Sequence, residues 1–214
     1  MKHIKLFETI AAYNAATLDL PNVSLTVDNN TVHYNPYVEL VETRVVTKYY
    51  VYDTSDPTQL FSEGSENEFS AIEIDGVEQP SVVSEYTFDT VGEHTVKYTL
   101  TDPTSIGAVF YNRSDLISID IPDNVTSIDD YAFDQSGLES CTIGSGVTSL
   151  GESTFTNIHS LESFTIMATT PPSANSIFGG EMSTPTIYVP SASVEAYKAA
   201  EGWSEYEDCI FPIS

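Results

Sequence analysis

The residues of this chain best equipped for chemistry are its histidines, its cysteines, a run of aspartates and a group of late aromatics. His3, His33, His94 and His159 are far apart, and no two stand at the spacing that metal ligands need. They read as surface or edge-strand residues, so no metal site is assigned. Asp120, Asp123, Asp129, Asp130 and Asp134 could gather around a calcium ion, but the alternating ligands and glycine of a calcium loop are missing. A solvated acidic face is the expectation there. No Gly-x-Ser-x-Gly elbow and no phosphate-cradling loop occurs; Gly144-Ser145-Gly146 reads as a tight turn in an arc of chain. No pair of carboxylates can be singled out for glycoside hydrolysis. The chain is therefore expected to be non-enzymatic, with no catalytic residue and no cofactor. Cys141 and Cys209 are read as two free thiols. Two groups remain as binding candidates. Tyr188, Tyr197, Trp203 and Tyr206 could stack on sugars if exposed, or fill the core of a terminal cap if buried. Leu6, Phe7, Ile10 and Tyr13 form an apolar stripe at helical spacing, suited to docking on another chain.

The charge limits what partners those residues can meet. Thirty-two acids against seven bases give a net charge of −25 over 214 residues. Residues 1–35 are close to neutral, with Lys2 and Lys5 against three acids; residues 114–214 carry Lys198 against fifteen. Seven scattered bases cannot form the basic patch that nucleic acid requires. No segment is long and apolar enough to span a membrane, and no signal-peptide pattern follows Met1-Lys2-His3-Ile4-Lys5. The apolar share of 41% is enough for a folded core, and the many Tyr, Thr and Val favour strands.

Three segments must position these residues. In residues 1–36, a short helix over 6–16 is followed by a hairpin: Val23, Leu25 and Val27 alternate, Asp28-Asn29-Asn30 turns, and Val32 and Tyr34 resume. Residues 37–103 read as an antiparallel β domain. Val38–Tyr52 and Ala71–Ile74 are strands, Asp75-Gly76 and Thr90-Val91-Gly92 are turns, and Val96, Tyr98 and Leu100 share one face. The stretch from Tyr86 to Tyr98 resembles the closing strands of bacterial immunoglobulin-like modules, implying a small sandwich. In residues 104–214 the chain repeats. Ile106, Ile128 and Leu150 are 22 residues apart. Between them recurs L-x-x-L-x-L: Leu116-x-x-Ile119-x-Ile121, Leu138-x-x-Cys141-x-Ile143 and Leu161-x-x-Phe164-x-Ile166, with Phe110, Phe133 and Phe155 in step. The fold class expected is mainly β: an N-terminal helix and hairpin, an Ig-like sandwich, and a short leucine-rich-repeat solenoid with a helical cap.

Ile119-Asp-Ile121-Pro122-Asp-Asn-Val125-Thr-Ser-Ile128 with Tyr131-Ala132-Phe133 resembles the BspA-like leucine-rich repeat. The third unit departs from it at Met167–Pro172, where such solenoids close. The tail from Ile187 to Trp203 is similar to that family's C-terminal cap: a strand, then a helix starting at Ser191 or Ser193 and stopping at Gly202. About three units and a cap make a compact distal knob.

The opening Met1-Lys-His-Ile-Lys-Leu-Phe-Glu8, with Pro21–Ser24 and Val32–Pro36, resembles the start of virion proteins of crAss-like and related phages of gut Bacteroidetes. That resemblance implies an anchoring module shared among head fibres, tail-associated proteins and decoration proteins. The expected function is then a phage structural appendage on the outer surface of the virion. It would be anchored to capsid or other virion proteins by its N-terminus and assembled as a dimer or trimer. The distal repeats would meet host-surface glycan, with no nucleic-acid or membrane partner. A bacterial surface adhesin of BspA-like type is the alternative, weakened by the missing signal peptide.

Overall fold

The computed structural model describes residues 43–179 and 184–213, together with the backbone of strands β1 (Thr26–Asp28) and β2 (Thr31–His33). The chain forms two compact units, 1–42 and 43–214. In the first, β1 and β2 pair antiparallel with Val27 opposite Val32, which is the hairpin read from the alternation around Asp28-Asn29-Asn30. The expected helix over 6–16 lies outside the described residues.

The second unit opens with β3 (Val45–Val51), β4 (Thr58–Gln59), β5 (Phe69–Ile74), β6 (Val77–Glu78), β7 (Glu85–Tyr86) and β8 (Gly92–Leu100). Period-2 alternation decides which side chains turn inward. Val45, Thr47, Tyr49 and Val51 are buried along β3, and His94, Val96, Tyr98 and Leu100 along β8. Asp75 and Gly76 both take positive φ, giving the tight turn that joins β5 to β6. Strands β3, β8, β5 and β6 lie in one sheet, while β4 and β7 form a separate two-stranded pair. Tyr49 and Tyr98 join the region's inner parts: the Tyr49 hydroxyl donates to the Leu60 carbonyl and sits 2.9 Å from the Tyr98 hydroxyl. Burial pushes both phenols up.

The repeats follow as β9 (Ser105–Ile106), β10 (Leu116–Ile121), β11 (Ser127–Ile128), β12 (Ser140–Ile143), β13 (Ser149–Leu150), β14 (Ser163–Ile166), β15 (Thr186–Val189), helix α1 (Val194–Ala199) and β16 (Ile210–Pro212). Strands β10, β12, β14, β15 and β16 stack in parallel. Their register puts Ile119, Cys141, Phe164, Ile187 and Ile210 in one buried row. On the return side β9, β11 and β13 form a second parallel sheet, with Ile106, Ile128 and Leu150 buried in it. Each coil thus buries the same positions against its neighbours, which is why the period is visible in the chain.

Two features extend beyond the repeat pattern. First, β3 pairs antiparallel with β10, Asp120 opposite Val46, so one nine-stranded sheet runs from β16 to β6 across both regions. The segments 37–103 and 104–214 therefore share a sheet and a single core. Second, the solenoid does not close at Met167–Pro172. Ser173 bridges to Ser149, Phe178 takes the place next to Phe155, and β15 adds a strand beside β14. The phenylalanine column reads Phe110, Phe133, Phe155, Phe178. The first three rings stack at 5.6 and 5.1 Å, tilted by only 7° and 11°, and Tyr98 and Phe69 continue the contacts into the β region. Each ring removes of order 150–250 Å² of apolar surface from water.

Ser145 and Gly146 form a tight turn after β12, as read from the sequence, but neither Gly144 nor Gly146 takes the left-handed conformation; what requires glycine there is space. A Cβ at Gly146 would overlap the Asp123 carbonyl oxygen, and one at Gly144 would press on Pro122 and Asp123. Glycine stands there because the preceding coil passes too close for any side chain.

Candidate functional site

The sequence candidates separate once the coils are stacked. Trp203 and Tyr197 are fully buried, and Tyr206 nearly so. Each finds a backbone acceptor on the preceding coil: Tyr197 donates to Ala168 O at 2.9 Å, Trp203 Nε1–H to Pro172 O at 2.9 Å and Tyr206 to Phe178 O at 3.1 Å. Their rings pack on each other and on Phe164 and Phe178. Burial, with the Glu205 charge adding, pushes the Tyr206 phenol up to about 12. These three are therefore cap core, not an exposed sugar platform. The physical reason is that the open end of a solenoid exposes a full layer of apolar side chains, which large rings cover most completely. The cap's serines also work differently from helix starters. Neither makes a capping bond; Ser193 donates to Thr169 O at 2.7 Å and Ser191 to Ile213 O at 3.0 Å, fastening the cap to its neighbours.

Tyr188 alone of the four stays on the surface, at 36% exposure on the outer face of β15. Register places it beside Phe211 of β16, 47% exposed, and Thr165 of β14. Met167, 42% exposed, follows β14. Neither Phe211 nor Met167 was singled out from sequence. Phe211 was discoverable only by seeing that Ile210–Pro212 alternates like a strand and pairs with Thr186–Val189.

The outer face of the parallel strands carries two further lines. Asp120, Thr142 and Thr165 lead to Tyr188 and Phe211, and Ser118, Ser140, Ser163 and Thr186 run beside them. On the β-region end of the same sheet stand three basic residues: Arg44 2.9 Å from Glu73, Lys97 3.5 Å from Glu73 and Lys48 3.2 Å from Glu93. The Arg44 hydrogen bond holds the Glu73 carboxyl below the usual range.

Of the five aspartates read as a solvated acidic face, Asp120, Asp123, Asp129 and Asp130 are exposed. Asp123 accepts from Ser145 N–H at 2.6 Å and Asp130 from Glu152 N–H at 2.7 Å, each fixing the coil one period on. Asp134 is buried rather than solvated, accepting from Thr156 Oγ1 at 2.7 Å and Asn157 Nδ2 at 2.8 Å. Among the described residues no group of three or more His, Cys, Asp or Glu could hold a metal ion. Asp129 and Asp130 line an open groove of about 410 Å³ with Ala108, Ser127, Ser149 and Gly151. His94 corrects the surface-histidine reading. It lies on the inner face of β8 at 8% exposure, Nδ1 2.7 Å from Asp75 Oδ2 and Nε2 2.8 Å from Thr90 O, against the Phe88 ring. The Asp75 carboxylate faces one ring nitrogen, and the carbonyl and hydroxyl of Thr90 both face the other, so each nitrogen has a partner and the ring can be buried. His159 is exposed. Leu6, Phe7, Ile10 and Tyr13 lie outside the described residues, as do His3 and the side chain of His33.

Cys141 and Cys209 are both free. Cys141 is buried in the Ile119–Phe164 row, where burial, and then the Asp120 charge, pushes its thiol well up; Cys209 is partly exposed. A thiol reagent such as dithionitrobenzoate is thus expected to titrate one cysteine in the native protein and two in denaturant, with Cys209→Ser removing the native signal. Rapid native labelling of both would contradict the packing of β12.

The fold is a leucine-rich-repeat solenoid, continuous with an antiparallel β region at one end and closed by a short helical cap at the other. A family profile described as BspA type leucine rich repeat region (6 copies) matches residues 81–200, more than half of the chain. The chain belongs to that family, and the match begins inside the β region, upstream of the first coil. No curated protein matches the chain. No helix among the described residues is long and apolar enough to cross a membrane.

Proposed function

We propose that this protein is a non-enzymatic structural appendage of a phage virion that displays a BspA-type repeat module. Its N-terminal segment would dock on capsid or other virion proteins through Leu6, Phe7, Ile10 and Tyr13, within a dimer or trimer. The observation that carries this reading furthest is the continuous nine-stranded sheet. A flexible tether between a sandwich and a solenoid would let the distal part swing. A shared sheet and core instead make 43–214 one stiff body, as a projecting element requires. In this reading the Ig-like β region caps the first repeat, through β3 on β10, as the helical cap covers the last. The acidic surface suits a body that must not adhere nonspecifically to nucleic acid or to its own copies. The near-neutral first 35 residues and their resemblance to phage virion proteins support an anchor there.

A bacterial surface adhesin is the second reading, favoured by membership of the BspA-type family. Mass spectrometry of purified particles separates the two. The chain is expected in intact virions, and a chain lacking residues 1–35 is expected to fold but to be missing from them. Absence of the full chain from virions, or incorporation of the truncated one, would end the appendage reading.

A further inference from the structure

We infer that the outer face of β12, β14, β15 and β16 binds an uncharged glycan, with Tyr188 and Phe211 as its apolar platform. This rests on the reading of the protein as a non-catalytic display module.

Three observations select the occupant. The first is the platform itself. Tyr188 and Phe211 are register neighbours on adjacent strands, both pointing out of the sheet and both substantially exposed, with Met167 at 42% exposure just beyond β14. Adjacent strands lie about 4.8 Å apart, so the two side chains leave the sheet from neighbouring positions, and each ring can offer its face to the C–H side of a sugar ring. Buried aromatics needed for the cap are elsewhere, so these two are not explained by packing.

The second is charge. In a chain of net charge −25, the row Thr142, Thr165, Tyr188, Phe211 and the row Ser140, Ser163, Thr186 contain no ionisable group other than the phenol. Glu139 and Glu162 stand exposed immediately before β12 and β14. A polyanion is repelled by that margin, and a second copy of this chain is repelled by its own charge. A neutral polyhydroxyl ligand faces no such penalty. The hydroxyls of Thr142 and Thr165 can both donate to and accept from sugar hydroxyls.

The third is the sheet edge. Ile213 N–H donates to Val189 O at 2.8 Å. By the alternation of a parallel ladder, Phe211 and Ile213 face β15 and Pro212 faces the free edge. Proline supplies no donor there, so the edge is blunted against strand addition. An apolar platform beside a blocked edge suits a ligand that lies across the face, not a chain that extends the sheet.

The test uses the full chain in affinity gel electrophoresis against dextran, mannan, xyloglucan and soluble starch, with polygalacturonate as the anionic control. At least one neutral polymer is expected to retard the protein, and polygalacturonate is expected not to. The double variant Tyr188→Ala/Phe211→Ala should lose about tenfold or more in affinity. Its melting temperature should stay near that of the unaltered protein, since both side chains are surface-placed. Tyr52→Ala, an exposed tyrosine just after β3 and away from β12–β16, should bind normally. No retardation by any neutral polymer, equal binding by the double variant, or a dimer in light scattering that the double variant dissolves would each overturn the inference. Shortening of the polymer, read as new reducing ends, would instead overturn the non-enzymatic reading. Glycan binding by a chain that is absent from virions would leave this face intact and remove only the phage setting.

Discussion

Phe133→Ala is expected to lower the stability of the 43–214 unit by about 3–5 kcal/mol, a large fraction of what holds such a unit folded. Phe133 is fully buried at the middle of the ring column, 5.6 Å from Phe110 and 5.1 Å from Phe155. The cavity left by its ring cannot close easily. Phe110 N–H donates to Ala132 O, and Phe133 N–H to Thr154 O, so the coils on both sides are held at fixed spacing by their backbones. The column also runs through Tyr98 and Phe69 into the β region, so the loss is felt on both sides of the β3–β10 junction. The measurement is urea unfolding of the full chain, followed by far-ultraviolet circular dichroism and by fluorescence of Trp203, the only tryptophan. The midpoint should fall with the slope unchanged, and the two probes should move together. Tyr52→Ala, at 74% exposure, is the control and should shift stability by no more than about 0.5 kcal/mol. Two separated transitions, one for the antiparallel strands and one near the cap, would defeat the single-core description.

What could be read in advance follows from where each pattern gets its regularity. Ile119, Cys141 and Phe164 recur because every coil buries the same position against the one before, so the constraint is written locally and repeatedly. The Asp75-Gly76 turn and the inward face of β8 were legible for the same reason: a period of two and a turn pair are short-range signals. The junction of β3 with β10 had no such signal. It brings Val46, which lies outside the repeat, against Asp120 of the first repeat strand, residues far apart in sequence, and nothing in either strand's composition names its partner. Phe178 was missed because the chain between Phe155 and Phe178 abandons the leucine pattern at Met167–Pro172, though the backbone keeps its bridge at Ser173. The binding candidates show the same division. That aromatics gather near the C-terminus is a fact of composition; that three of them cap the core while Tyr188 pairs with an unnoticed Phe211 depends on the parallel return of β16.

Gly202→Ala should cost about 2–5 kcal/mol, more than either of two other glycine substitutions that isolate its separate causes. Gly202 has φ +80, and a Cβ built on it would overlap the carbonyl oxygen of Ala174. Conformation and space therefore both exclude a side chain. Gly76 shares only the first cause: its φ is +82, but its Cβ would meet nothing within 4 Å, so Gly76→Ala should cost about 1–2 kcal/mol. Gly146 shares only the second, through Asp123 O, so Gly146→Ala should cost about 1–3 kcal/mol as the coils move apart. The location of the damage should differ as well. Gly202 immediately precedes Trp203, whose indole donates to Pro172 O on the segment that Gly202 touches. Gly202→Ala should thus change the emission of native Trp203, because the cap must lift off the 172–174 segment to admit the methyl group. Gly76→Ala, in the turn at the far edge of the sheet, should leave that emission unaltered. Equal costs for Gly202→Ala and Gly76→Ala, with no change in native emission, would mean that the cap does not press on the fourth coil. The buried state of Tyr197, Trp203 and Tyr206, and with it their removal from the list of surface ligand contacts, stands or falls on that contact.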